Sequence, residues 1–301
     1  KTGKLSRDSM NRTIQALKVC KQKLDKYDVK YSRLIATEAC RRAKNSKDFI
    51  LKVFQETGLK LNIIDTEEEA RLAVISCAPL VSSKSEQLLV VDIGGGSTEL
   101  VWIDLSAVPS HERPKSIMRL HSGFHSIESP FPAARVVDWI SVPLGVATLR
   151  DQFNDVEDDA ARFALMSWYF EEKLTDFAPY KDNKIDTSFQ IIGTSGTVTT
   201  VASSHLGLRR YDRTKVDGLR MTTDQIDKVI RSYLEMGPDG RKKDPRIGRD
   251  RQALIMSGSA ILQAMLRSWP TDKLTVADRG LREGLLYAQM SANGVLEDVI
   301  L

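Results

Sequence analysis

The run Leu88-Leu89-Val90-Val91-Asp92-Ile93-Gly94-Gly95-Gly96-Ser97-Thr98-Glu99-Leu100 constrains the fold more than any other part of the chain. Residues 88–93 are a near-continuous apolar run, 94–96 a turn, and 98–103 a second run of strand formers, which together predict a β-hairpin. Three successive glycines let the backbone take positive φ and let its N–H groups approach an anion closely, a concavity suited to phosphate. Asp92 before the turn and Glu99 after it put two carboxylates beside that concavity, where magnesium binds through carboxylates, water and substrate oxygens. The plainer reading is a glycine turn with no ligand. Two common glycine motifs are excluded by context, because a Walker A loop needs a Lys and leads into a helix, and a dinucleotide fingerprint also opens a helix.

Before this run the spacing alternates between helix and strand. Met10, Ile14, Leu17, Cys20 and Leu24 behind Ser6 predict an amphipathic helix over 7–26. A strand is expected at 32–36, a helix capped by Asn45 or Ser46 and stopped by Gly58, a strand at 61–64 and a helix over 66–77. Such alternation indicates an α/β domain with mostly parallel pairing. After the hairpin, strands are expected near 116–120 and 134–140, with 110–132 largely a loop. Helices follow at 157–177, 196–206, 222–235 and 249–267, and strands at 188–192 and 273–277. The polar stretch 82–87 is the clearest boundary, giving a first domain over 1–86, completed by 284–301, and a second over 87–283.

Composition narrows the class. With 301 residues, 42% hydrophobic and 28% charged, the chain is long enough for about two domains and unlike a disordered or disulfide-scaffold protein. The formal net charge of +4 conceals an asymmetry: residues 1–60 hold 16 Lys or Arg against 6 Asp or Glu, and the remainder holds 28 against 34. A basic segment fits a polyanionic partner, or is the solvated side of a helix. Cys20, Cys40 and Cys77 lack metal or CxxC spacing and read as reduced thiols. Neither a signal peptide nor a membrane span is visible, so a cytoplasmic location is expected.

A second small-residue turn stands at Gln190-Ile191-Ile192-Gly193-Thr194-Ser195-Gly196-Thr197-Val198, in the order strand, loop, helix start. A helix N-terminus rich in hydroxyls suits an anion, and equally suits a simple cap by Thr194 or Ser195. Thr66-x-x-Glu69 is a capping box in its own right. Basic groups at Arg209, Arg210, Arg213 and Lys215, and again at Arg241, Lys242, Lys243, Arg246, Arg249 and Arg251, are a track for a long polyanion or a solvated face. His121 and His125 stand four apart without a third ligand, which argues against zinc.

Five stretches in order, Ile35-Ala36-Thr37-Glu38-Ala39-Cys40-Arg41-Arg42-Ala43-Lys44-Asn45, Thr66-Glu67-Glu68-Glu69-Ala70-Arg71-Leu72, the run from Asp92 to Glu99, Gly193-Thr194-Ser195-Gly196-Thr197 and Asp278-Arg279-Gly280-Leu281-Arg282-Glu283-Gly284-Leu285, resemble the exopolyphosphatase/guanosine pentaphosphate phosphohydrolase (Ppx/GppA) family. The resemblance implies a two-domain, actin-like (ribonuclease H-like) α/β fold with an interdomain active site. It further implies hydrolysis of the terminal phosphoanhydride bond of polyphosphate, or of guanosine pentaphosphate, with a divalent metal such as magnesium. By motif match, Glu69 falls at the water-activating carboxylate, Arg41 at the active-site arginine, and Asp92 and Glu99 at the metal-associated acids. Gly94, Gly95, Gly96, Ser97 and Thr98, with Gly193, Thr194, Ser195, Gly196 and Thr197, fall at the phosphate loops.

The resemblance also implies a first strand with an Asp-x-Gly loop that does not precede Lys1-Thr2-Gly3, so the 301 residues are expected to belong to a longer protein of the short, two-domain form. A homodimer fits that form; a membrane or a specific nucleic-acid partner does not. A sensor that binds polyphosphate or a nucleotide without turnover is the alternative from a different class.

Overall fold

The computed structural model describes residues 3–122, 124, 133–181 and 187–296. The chain divides into two compact units, Lys1–Glu69 and Ala70–Leu301.

In the first unit, α1 (Arg7–Lys26) starts where Ser6 accepts a hydrogen bond from the Ser9 N–H, and turns Met10, Ile14, Leu17 and Leu24 to one side. It is followed by β1 (Leu34–Ala36), α2 (Glu38–Arg42), α3 (Ser46–Thr57) and β2 (Leu61–Ile63). β1 and β2 pair in parallel with Leu34 opposite Leu61, and Ile14, Cys40, Phe49, Val53 and Leu59 form the core. Gly58 closes α3 at φ 70°, as the spacing predicts. Asn45 is not a side-chain cap. Its amide instead accepts from the Leu5 N–H at 2.8 Å and donates to the Leu5 carbonyl at 3.0 Å, which fixes the entry to α1.

α4 (Thr66–Ser76) carries the division between the units. The second unit is built on β3 (Gln87–Ile93) and β4 (Thr98–Asp104), the expected hairpin. They are followed by α5 (Arg113–Met118), β5 (Arg135–Val142), α6 (Val146–Gln152), α7 (Asp159–Glu172), α8 (Ala178–Lys181) and β6 (Phe189–Thr194). Then come α9 (Gly196–His205), α10 (Arg213–Val216), β7 (Arg220–Met221), α11 (Thr223–Lys243), α12 (Ile255–Ser268), β8 (Leu274–Ala277) and α13 (Leu281–Ala292). Six strands form one mixed sheet in the order β5-β4-β3-β6-β8-β7, with β3, β6 and β8 parallel.

Both faces of this sheet are covered, which is why β3 reads as apolar without alternation. Leu89, Val91 and Ile93 enter a core with α7, α9, α11 and α12, whereas Leu88 and Val90 enter another with Ala70, Val74, Ala78 and Ile117. Trp102 stacks on Phe189, centroids 4.9 Å apart, and meets Trp269 at 6.0 Å.

The stretch 82–87 is tied to the sheet by buried Gln190. Its side-chain oxygen accepts from the Ser82 N–H at 2.9 Å and from the Ser85 hydroxyl at 3.0 Å, and its amide donates to the Leu80 carbonyl and Thr275 hydroxyl. The strand expected near 116–120 is helical, since Pro114 occupies the first turn of α5, where its missing N–H costs nothing. Part of the expected 110–132 loop is therefore α5 and two short 3₁₀ turns; 125–132, with His125, lie outside the described residues. α11 runs beyond 235 through a kink at Gly237, φ 63°, and Pro238, while the helix expected from 249 begins at Ile255 behind a 3₁₀ turn. The three cysteines are free, and among the described residues no helix is long and apolar enough to cross a membrane.

α13 packs so closely on α4 that a Cβ on Gly284 would lie 1.9 Å from the Leu72 carbonyl oxygen. Gly284→Ala is expected to destabilise the second unit by about 1–3 kcal/mol, the cost of overpacking, read as a lower urea midpoint at unchanged slope.

Candidate active site

The site in the second unit is assembled at the C-terminal ends of the three parallel strands, after Ile93, Thr194 and Ala277, where α/β sheets place their ligands. The first loop is closed by the Gly94 N–H donating to the Ser97 carbonyl at 2.9 Å, and a Cβ on Gly94 would meet that oxygen at 2.9 Å. The start of α6 then holds the loop from one side. Val146 N–H donates to the Gly94 carbonyl at 3.0 Å, Ala147 N–H to Gly95 at 2.9 Å, and the Thr148 hydroxyl to Gly96 at 3.2 Å. In a trans peptide the carbonyl of one residue and the N–H of the next point in opposite directions. Fixing three carbonyls toward α6 therefore turns the N–H groups of Gly95, Gly96 and Ser97 away from it, and no described residue accepts from them.

Gly145 makes this contact possible. A Cβ there would lie 2.4 Å from the Gly94 oxygen and 2.6 Å from the Gly96 nitrogen. Sequence reasoning missed this residue; the only local signal is Pro143-Leu144-Gly145 at the end of a strand. Thr98, expected in the phosphate loop, instead donates its buried hydroxyl to the Leu144 carbonyl at 2.8 Å and so anchors the approach to Gly145.

Asp92 and Glu99 are direct partners across β3 and β4, hence on the same face of the sheet. Like charges directly opposite one another are unfavourable, and a cation between them removes that cost. Glu99 is buried and accepts from the Ser141 hydroxyl at 2.8 Å, whereas Asp92 lines a cavity. Among the described residues no cluster of three or more His, Cys, Asp or Glu is placed to hold a metal. Two carboxylates fit magnesium, which is held by one or two carboxylates plus substrate oxygens, and do not make an all-protein cage.

The second loop departs from expectation in detail. Gly193 lies within β6, where its missing side chain admits the Val198 methyls, 3.2 Å from where a Cβ would be. Thr194 donates its hydroxyl to the Arg279 carbonyl. Ser195 caps α9, accepting from the N–H groups of Thr197 at 3.1 Å and Val198 at 3.2 Å, and does so at φ 153°, a conformation non-glycine residues rarely adopt. Thr197 is buried where Gly258 of α12 leaves it room.

Arg251, read from the sequence only as one of several basic residues, belongs to this site. Its guanidinium lies across Gly196, so close that a Cβ there would fall 1.3 Å from Nη1. It lines both a cavity of about 210 Å³ with Gly94, Gly95, Val146 and Thr197, and one of about 260 Å³ with Asp92, Ser195, Asp278 and Gly280. Behind the second cavity Arg279 bonds Asp217 at 2.9 Å and the Tyr287 hydroxyl at 3.0 Å. Burial works against the Arg279 charge, but Asp217 outweighs it and the pKa is raised.

In the first unit the structure joins Arg41 and Glu69, 28 residues apart, at 2.7 Å. Glu69 is not engaged in the expected capping box, because the side chain that caps α4 is Asp65, which accepts from the Glu68 N–H at 2.8 Å. Arg41 also bonds Glu38 at 3.1 Å and the Ile64 carbonyl at 2.9 Å. Burial opposes its charge, and Glu69 followed by Glu38 outweigh burial, so its pKa is raised. Most of its donors are thus spent on protein acceptors, which makes it the group that orients Glu69.

A family model described as the Ppx/GppA phosphatase family matches residues 1–293. The chain belongs to the Ppx/GppA phosphatase family. The crystal structure of the Aquifex aeolicus Ppx/GppA family member is 30% identical, with a TM-score of 0.74 over 97% of this chain and 85% of that one. An exopolyphosphatase from Cytophaga hutchinsonii shares the fold at a TM-score of 0.77 and 21% identity, over 96% of this chain and 84% of that one. A bifunctional 3-dehydroquinate synthase/phosphatase of Fusobacterium nucleatum is 25% identical over 91% of this chain, which spans 37% of that protein's length. The mixed α/β class expected from the sequence is the fold that this chain shares with these Ppx/GppA structures.

Gly145→Ala is expected to push the glycine loop off α6, lowering affinity for tripolyphosphate at least 10-fold in a calorimetric titration. The accompanying loss of stability should stay within about 1–3 kcal/mol.

Proposed function

We propose that this phosphatase-family chain hydrolyses the terminal phosphoanhydride bond of inorganic polyphosphate and releases orthophosphate. The observation that carries the reading is the set of outward N–H groups of Gly95, Gly96 and Ser97, beside Asp92 and on the same strand ends as the second loop and Arg251. Phosphoryl transfer asks chiefly for positioning and charge stabilisation, which amide donors and a guanidinium supply without reorganising. The residues lining the two cavities are glycines, hydroxyl, aliphatic and charged groups with no aromatic ring, which favours a phosphate chain over a nucleotide base.

In this reading Asp92, with Glu99 opposite it across the hairpin, would hold magnesium, which would neutralise charge on the phosphate oxygens. The amides of the glycine loop and Arg251 bind and orient the terminal phosphoryl group. Glu69, held by Arg41, accepts the proton of the attacking water as its oxygen bonds the terminal phosphorus and the bridging P–O bond breaks. General-base help of this kind contributes roughly 10²–10⁴-fold in rate.

Phosphate release is to be measured on polyphosphate, guanosine pentaphosphate and ATP with magnesium. Polyphosphate is expected to be the best substrate; release only from guanosine pentaphosphate would reassign the substrate, and binding without release would make the protein a sensor. Excess chelator should abolish release. Glu69→Gln is expected to lower kcat by roughly 10²–10⁴-fold with little change in polyphosphate affinity, and a wild-type rate would remove Glu69 from the reaction.

A further inference from the structure

A third cavity in the second unit, about 360 Å³, takes no part in the reading above. It lies among α6, α7, the distal part of α11 and residues 249–257, and five of its lining residues are cations: Arg150, Arg162, Arg241, Lys242 and Arg249. Asp159 is the one carboxylate in the lining. Volumes of a few hundred Å³ suit a multi-atom ligand.

The kink in α11 builds the floor of this cavity. With Gly237 out of helical conformation and no N–H on Pro238, the last carbonyls of the preceding helix lose their regular donors. Arg241 turns back and donates to the Tyr233 carbonyl at 2.8 Å while gripping Asp159 through both terminal nitrogens, at 2.8 and 2.7 Å. That grip uses the end of the guanidinium and leaves its side edge. Arg241 Nε is buried and has no hydrogen-bond partner among the described residues. A guanidinium edge with two parallel N–H groups is the geometry that binds phosphate or carboxylate oxygens in pairs. Nearby, Arg249 is exposed with no ion-pair partner among the described residues, and Lys242 is exposed and only 3.3 Å from an equally exposed Asp239. Arg150 and Arg162 are partly spent, on Asp151 at 2.9 Å and on the Val156 carbonyl at 2.6 Å.

The segment 249–257 separates this cavity from the glycine loops. Arg249, Gln252, Ala253, Met256 and Ser257 line the basic cavity, while Arg251, Leu254 and Ile255 line the one beside Gly94 and Gly196.

We propose that the basic cavity is a second, separate site for an oligophosphate, bound through Arg241, Arg249 and Lys242 on the face of the 249–257 segment opposite Arg251. This site binds without turnover and does not depend on the hydrolytic reading.

The test is calorimetric titration of the whole chain with tripolyphosphate in the presence of chelator, which suppresses hydrolysis. The wild-type protein is compared with Lys242→Glu/Arg249→Glu, whose two positions are exposed and leave the Arg241–Asp159 pair intact; unchanged thermal unfolding confirms the fold. The double variant is expected to lose one tripolyphosphate per chain, or to bind it at least 10-fold more weakly. Identical binding by the two proteins, or no wild-type binding at millimolar ligand, overturns the proposal. Orthophosphate and long-chain polyphosphate as competitors identify the source: displacement by orthophosphate assigns the site to free phosphate, and displacement only by the polymer assigns it to a phosphate chain.

Discussion

The site in the second unit depends on three carbonyls. Gly94, Gly95 and Gly96 each give their C=O to the first turn of α6, and peptide planarity then aims the following N–H groups the other way. Without that hold the glycine triplet would be a flexible turn whose amides water satisfies. The hold in turn needs β5 beside β4, because β5 delivers Leu144 and Gly145, and the Thr98 hydroxyl fixes Leu144 in place. A loop of four residues is thus positioned by an element some 50 residues later in the chain.

Charge is arranged around this frame in a consistent way. Two carboxylates face one another across the hairpin, one buried and hydrogen-bonded by Ser141, the other at a cavity with Arg251. Arg251 lies over a glycine and Thr197 beside another, so both approach the second loop where any side chain would exclude them. In the first unit an acid and a base also hold each other: Arg41 is fixed by Glu38, Glu69 and a backbone carbonyl, and a carboxylate so held has one orientation rather than many. Preorganisation of this kind is what phosphoryl chemistry rewards, since little reorganisation remains to be done when charge develops.

Local patterns carried part of this and failed at identifiable points. The apolar run before three glycines specifies a hairpin because strand formers and a turn are adjacent in sequence. Gly58 ends α3 for a similarly local reason. The Thr66-x-x-Glu69 spacing puts the cap of α4 at Thr66, whereas the side chain that caps it is Asp65, one residue earlier, and only the ion pair with Arg41 shows where the Glu69 carboxylate goes. Residues 116–120 have apolar content that serves strand or helix, and Pro114 with the covering of the sheet's second face made them helical. Arg241, Arg249 and Arg251 looked alike in a basic run; one is buried against Asp159, one is exposed at a basic cavity, and one lies on the second glycine loop.

What the sequence determined by itself is the set of backbone possibilities: which segments are strands or helices, where glycine permits close approach, and the ordered motifs that mark the Ppx/GppA family. Tertiary structure alone decided which donors are left over for a ligand. Whether an N–H, a guanidinium or a carboxylate is available depends on what its other partners take. Those partners, Val146 for Gly94, Ser141 for Glu99 and Arg41 for Glu69, lie from 28 to 52 residues away, beyond the reach of any periodic pattern.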